Sequence, residues 1–283
     1  MPFPPSLARS LASFVLDDEQ LSRLDELYFQ DAGHGYDAFG MHPSFIALGQ
    51  AIADPMYRRY FRVISTGHEH IPDVGPAIIA SNHSGNVPLD GAMIWTDIIR
   101  KTNPPRVARA IADHFVPSLP WVGTLFARSG MVGGSRGNAR TLIEAGEMLL
   151  IFPEGTPGIV KPFAKRYQLQ KFRVGHTELA IRHGAPIVPV GVVGAEEQLP
   201  QLLVSRRLGK PLGVPELPIP AVPIPLPVRY RIYYGPPIPV HEDYTPDQAD
   251  DPEVLKEAAG RVKAAVNDLI QRGLKERGGR IFA

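Results

Sequence analysis

The chain has 283 residues, with 30 Lys+Arg against 29 Asp+Glu and a formal net charge of +1. A hydrophobic content of 44% argues against disorder and supports a sizeable buried core. The near-zero charge argues against a dedicated nucleic-acid binder, and the absence of cysteine excludes disulfides, thiol nucleophiles and Cys-ligated zinc while fitting a reducing compartment.

From the N-terminus, apolar residues recur at helical spacing between Leu7 and Gln30, with Asp17 or Asp18 placed to cap a second helix. A loop rich in Gly, Asp and His follows, then a helical stretch from Pro43 to Asp54 that runs into MYRRYFRVIS. Short apolar runs then alternate with amphipathic windows. The strand candidates are Phe61–Thr66, Ala77–Ser81, Val107–Ile111, Phe126–Val132, Met148–Phe152, Ile187–Val193 and Arg229–Tyr234. Between them, Leu89–Arg100, Ser118–Leu125, Asn138–Gly146 and Val174–His183 read as helices, and Asp251–Arg277 as one long helix. This alternation predicts an α/β fold: a single domain with a central, mostly parallel (mixed) sheet of about seven strands flanked by helices. The expected organisation is an N-terminal helical segment (1–60) with a membrane-associating role, an α/β core (61–240) and a C-terminal helix packed on it (241–283).

No stretch approaches the roughly 20 apolar residues a spanning helix needs. Met1–Ser13 lacks the sustained apolar run of a signal peptide. The expectation is a soluble chain, attached at most to a membrane face. Three basic runs contain no acid: Ile98–Ala112, Leu125–Ile143 and Gly155–Thr177, the last with Lys161, Lys165, Arg166, Lys171 and Arg173. Together they suit a phosphate-bearing ligand or an anionic surface.

Two segments carry chemistry. SNHSGNVPLDG (Ser81–Gly91) follows a strand and precedes a helix, so it lies at the sheet edge where open α/β folds bind ligands. There His83 can take a proton from a hydroxyl while Asp90 fixes its tautomer. LLIFPEGTPG (Leu149–Gly158) runs a buried strand into a carboxylate, a glycine and free N–H groups. A third segment, GAPIVPVGVVGAEE, is a buried strand interrupted by Pro189, which places it near an edge or at a bulge.

NHSGNVPLD, VGTLFARSG (Val122–Gly130), FPEGT and PIVPV (Pro186–Val190) occur in this order. Each is weak alone, but four in order are specific. Over roughly Arg62 to Val193 the chain resembles the glycerolipid acyltransferase superfamily, whose best-known members are the lysophosphatidic acid acyltransferases. The resemblance implies transfer of an acyl group from a thioester to a lipid hydroxyl, in phospholipid or glycerolipid biosynthesis, without an acyl-enzyme. It makes His83 the base and Asp90 its orienter. Asn82, Ser84, Gly85, Glu154, Gly155 and Thr156 line the substrate site, with Arg128 in the anion-binding segment. No cofactor or metal is implied; acyl-CoA or acyl-carrier protein is the co-substrate, and the sequence leaves both open, as it does the oligomeric state. The expected location is cytoplasmic, peripheral to the inner face of the membrane.

Two departures stand out. Six residues separate His83 from Asp90 where the usual motif has four, so the intervening loop must bulge to return the carboxylate. A longer, proline-containing version occurs in the branch resembling mono- and diacylglycerol acyltransferases. Pro157 also stands where phosphate-acceptor members carry Arg, leaving Lys161 or Arg166 to substitute. The competing readings are a serine esterase using Ser135 in GGSRG with His176, His183 or His241, a zinc site at His68 and His70 on a strand face, and a non-catalytic lipid-binding protein. MYRRYFRV (Met56–Val63) and the proline cluster Val214–Val228 are the expected interfacial elements.

Overall fold

A computed structural model describes residues 4–84, 88–113, 116, 121–205, 207 and 217–279. Three helices open the chain: α1 (Pro5–Ala12), α2 (Asp18–Asp25) and α3 (Pro43–Pro55). Asp17 caps α2 by accepting from the Gln20 backbone, while the Gln20 side chain bonds back to the Asp17 N–H. Among the described residues there are nine strands: β1 (Ile64–Thr66), β2 (Ala77–Ser81), β3 (Ala108–Ala112), β4 (Val132–Gly133), β5 (Met148–Ile151), β6 (Ile187–Val193), β7 (Gln201–Ser205), β8 (Leu217–Pro220) and β9 (Arg231–Tyr234). Seven form one sheet in the order β1-β9-β6-β2-β5-β3-β4, parallel throughout except where β9 meets β6. β7 and β8 make a separate antiparallel ribbon. The expected mixed α/β sheet is present.

The remaining α-helices among the described residues are α4 (Leu89–Lys101), α5 (Val122–Arg128), α6 (Arg136–Glu144), α7 (Thr156–Ile159), α8 (Gly175–His183), α9 (Ala195–Gln198), a single turn at Val240–Asp243 and the long C-terminal helix Pro252–Arg277. Helices cover both sheet faces, so the central strands β5 and β6 are apolar at every position instead of alternating. Along β2, Ile78 and Ala80 pack with Leu142 and Ile143 of α6 and with Val262 and Val266 of the C-terminal helix. Ala77 and Ile79 point the other way, onto Met93, Ile94 and Ile98 of α4. The C-terminal helix sits hard against β6. A Cβ on Gly191 would lie 2.7 Å from Leu269 Cβ, and one on Gly273 would lie 2.6 Å from the Tyr233 ring. No helix among the described residues is long and apolar enough to cross a membrane.

Several expectations need correction. The apolar run Phe126–Val132 is not a strand: α5 carries it to Arg128, Gly130 turns the chain at φ 93°, and only Val132–Gly133 pairs. Of the helix expected over Ser118–Leu125, residues 118–120 lie outside the described residues. The strand expected from Phe61 begins at Ile64, because Met56–Tyr60 extends α3 as a π-helical turn. The segment MYRRYFRV is no interfacial face, since Tyr57 and Phe61 are buried. Tyr57 Oη donates to Asp97 Oδ1 at 2.5 Å, and Tyr234 Oη donates to Oδ2 at 2.8 Å.

Pro189 is not in an edge strand. β6 is central, yet the proline falls at a bulge. Val190 pairs with Tyr234 and Ile187 bridges Ile238, so β6 spends two residues where the facing chain spends three. Of the basic runs, several members are neutralised by acids distant in sequence. Arg109 is fully buried against Asp37 at 2.7 Å and Glu147 at 3.3 Å, and Arg100 meets Asp54 at 2.5 Å.

Candidate active site

β2 and β5 are adjacent and parallel, with Ala80 opposite Ile151, so the chain leaving each strand emerges at the same sheet edge. Just past β2, Asn82 accepts from Val192 N at 2.8 Å and donates to Val192 O at 3.1 Å. Its amide is buried and bonded through both oxygen and nitrogen to Val192, so it pins the strand end to β6. His83 follows. Its Nδ1 lies 2.8 Å from Asp90 Oδ2, and Asp90 is fully buried in the first turn of α4. The same carboxylate oxygen accepts from Ser84 N at 2.8 Å. The six intervening residues therefore do return the carboxylate to the imidazole. Gly85 and the rest of 85–87 lie outside the described residues.

The Asp90 contact requires the proton on Nδ1, which leaves Nε2 as the basic nitrogen. Among the described residues, no protein group occupies Nε2. The ring is held flat against Phe152, with centroids 4.0 Å apart and planes 20° from parallel. Phe152, which no site expectation included, thus orients the imidazole from the neighbouring strand; its place at the head of FPEGT was the available signal.

Glu154 stands beneath this pair. One oxygen accepts from His83 N at 3.1 Å, the other from Gln170 N at 2.6 Å, and the side chain has no exposure. It therefore braces the histidine backbone and does not face an open substrate pocket. Lys161, buried as well, lies 3.5 Å from Glu154 and 3.0 Å from Glu196. Burial raises the Glu196 pKa, with Lys161 opposing that rise. With two carboxylates around one ammonium, Lys161 is already compensated and has no charge to spare for a phosphate.

Gly155 holds φ 59° and ψ −152°, a region essentially reserved for glycine. A Cβ there would lie 2.9 Å from the Arg173 guanidinium carbon. Thr156 Oγ1 donates to Asp113 Oδ2 at 3.2 Å. Gly158 comes so close that a Cβ would lie 2.9 Å from Glu154 Cβ and 3.3 Å from His83 Cβ. Ser84, Gly158, Lys161, Arg166 and Glu196 line one small open cleft together with Leu199 and Gln201. Arg166 stacks on Phe163 and lies 3.7 Å from Glu197. Arg128 is placed elsewhere: its guanidinium caps the Tyr36 ring at 3.7 Å and donates to Gly40 O. It ties α5 to the N-terminal loop.

The rival constellations are not assembled. Ser135 caps α6, accepting from Asn138 N at 3.0 Å. His176 Nδ1 donates to Arg173 O at 2.8 Å, and His183 and His241 approach Glu144 and Glu242. GHEH is a 3-10 turn and not a strand, and His70 Nδ1 donates to the Tyr234 carbonyl. The described residues hold no cluster of three or more potential metal ligands.

Comparison with known proteins bears on this geometry. A family model described as Acyltransferase matches residues 62–193, the span that holds both motifs. An uncharacterised protein of Mycobacterium tuberculosis is 35% identical over 86% of this chain and 71% of its own length. The Bos taurus protein named DGAT1/2-independent enzyme synthesizing storage lipids is 28% identical, over 73% of this chain and 58% of that protein. The crystal structure of the 1-acyl-sn-glycerophosphate (LPA) acyltransferase PlsC from Thermotoga maritima shares the fold. It superposes with a TM-score of 0.56 at 16% identity, over 98% of this chain and 99% of that one. The chain belongs to the acyltransferase family, within the glycerolipid acyltransferase superfamily.

Proposed function

We propose that the protein moves a fatty acyl group from a thioester, acyl-CoA or acyl-carrier protein, to a hydroxyl of a glycerolipid. The observation that carries this reading is the buried His83–Asp90 pair, whose Nε2 has no bonding partner among the described residues and whose neighbour Ser84 lines a cleft. The acceptor hydroxyl gives its proton to His83 Nε2 as its oxygen attacks the thioester carbonyl. The tetrahedral species then expels the thiolate, which takes that proton from the imidazolium. Asp90 holds the Nδ1 proton and stabilises the transient positive ring. A thioester is already activated, so base catalysis of about 10²–10⁴-fold plus positioning of the two reactants suffices.

The acceptor is a neutral hydroxyl lipid and not a lysophosphatidate. Pro157 occupies the position of the phosphate-binding arginine, and Lys161 is engaged by Glu154 and Glu196. The substrates are lipids, so the protein works at a bilayer surface as a peripheral protein. Purified protein with radiolabelled palmitoyl-CoA and a panel of monoacylglycerol, diacylglycerol, lysophosphatidic acid and simple alcohols tests this. Preferred labelling of the acylglycerols is expected. Labelling of lysophosphatidic acid alone contradicts the acceptor assignment, and binding of donor and acceptor without turnover favours a lipid-binding protein.

A further inference from the structure

The β7–β8 ribbon stands outside the main sheet, and its surface does not suit water. Leu202 and Leu203 are 69% and 53% exposed, and Ile224, on the segment leaving β8, is 68% exposed. Consecutive strand residues normally alternate between a covered and an open face. Here a bulge falls between Gln201 and Leu203, which pair with Pro220 and Ile219. The extra residue, Leu202, re-aims the strand so that both leucines lie open.

The chemistry of the backbone points the same way. From Leu217 to Pro227 the sequence LPIPAVPIPLP has five prolines and no charge. Proline has no N–H, so this edge offers few donors to a partner strand and few that hydrocarbon would leave unsatisfied. Ala221 N and Leu226 N are bonded to Pro200 O and Gln198 O. The base of the ribbon is fixed to the body, with Tyr60 Oη donating to Pro225 O at 2.5 Å and Arg62 to Pro227 O at 2.9 Å. The chain joining the two strands, 206–216, carries Arg206, Arg207 and Lys210 against Glu216 alone. Arg207, just past β7, is exposed, so open leucines and a cation lie close together along the chain and complement an anionic bilayer: hydrocarbon for the leucines, headgroups for the arginine.

We infer that the β7–β8 ribbon, through Leu202, Leu203 and Ile224, is the element by which this protein docks on an anionic lipid surface. Its base reaches the cleft beside His83, because Leu199 and Gln201 line that cleft together with Ser84, and the Gln201 amide donates to Ile159 O. A lipid leaving the bilayer along the ribbon enters the cleft directly. This purpose rests on the lipid-substrate reading; the docking itself is tested without turnover.

The chain has no cysteine, so Leu203→Cys supplies a single labelling site. The full-length variant, carrying an environment-sensitive fluorophore, is titrated with phosphatidylcholine–phosphatidylglycerol vesicles, beside co-sedimentation of unlabelled wild type and Leu202→Ser/Leu203→Ser. A blue shift and quenching by acyl-chain quenchers are expected at position 203. The double variant should bind about tenfold more weakly or less, with an unchanged thermal midpoint. Vesicle binding without a spectral change at 203, equal binding by the double variant, or no binding by wild type overturns the inference. Should the double variant unfold, the labelled protein still decides.

Discussion

His83 is held at three points: Asp90 on Nδ1, Glu154 on the backbone N–H and Phe152 on the ring face. Each restricts a different freedom, respectively tautomer, backbone position and tilt. Replacing Asp90 with Asn should therefore cost rate without unfolding the chain. An amide presents an N–H where the imidazole needs an acceptor, and the ring turns to the wrong tautomer. The expected fall in kcat for Asp90→Asn is about 10²–10⁴-fold with KM nearly unchanged; a wild-type kcat would remove Asp90 from the reaction. The histidine, its aspartate and the FPEGT carboxylate were legible in the sequence because their spacing relative to strands is part of the pattern. The fate of Lys161 was not. Its neutralising partner Glu196 is 35 residues away, and only the folded chain makes Lys161 a structural cation. The bracing role of Asn82 is not legible in sequence for a similar reason, since its partner is the backbone of Val192 on another strand.

At the scale of elements, the strands covered on both faces were readable, since AIIAS, MLLI and IVPVGVV are continuous apolar runs. Where a run was short or its environment one-sided, reading failed. LFAR went to helix because α5 packs on the N-terminal helices, and the β7–β8 ribbon went unseen because prolines masked β8. Pro189 keeps to the rule that a strand proline sits at an edge or a bulge: its strand is central, and the facing chain spends an extra residue beside it. Helix α8 has its own testable consequence. Burial lowers the pKa of its His176 from 6.5 to about 4. The unfolded chain takes up this proton near pH 6.5 while the folded one resists, so His176 lowers stability as pH falls from about 6.5 towards 4. The loss attributable to it between pH 7 and pH 5 is about 2 kcal/mol. Urea unfolding of wild type and His176→Gln at both pH values checks this. The variant should lose less stability on acidification, and an equal loss would place the titration elsewhere.

For the whole molecule, a net charge of +1 hides its distribution. Much of the basic excess in the runs around the sheet is compensated internally, as at Arg109, Arg100 and Lys161. What remains for a ligand is a cleft with little net charge, beside an apolar ribbon. The fold brings two loops from adjacent parallel strands to one edge, and there it buries an Asp behind a His whose far nitrogen no described residue engages. The central claim is that this nitrogen is the base for acyl transfer. The direct measurement is the rate of palmitoyl transfer to an acylglycerol by wild type and His83→Ala, with circular dichroism and the thermal midpoint establishing that both are folded. The account predicts that the folded variant loses transfer by about 10³-fold or more. Transfer by His83→Ala at the wild-type rate would contradict it.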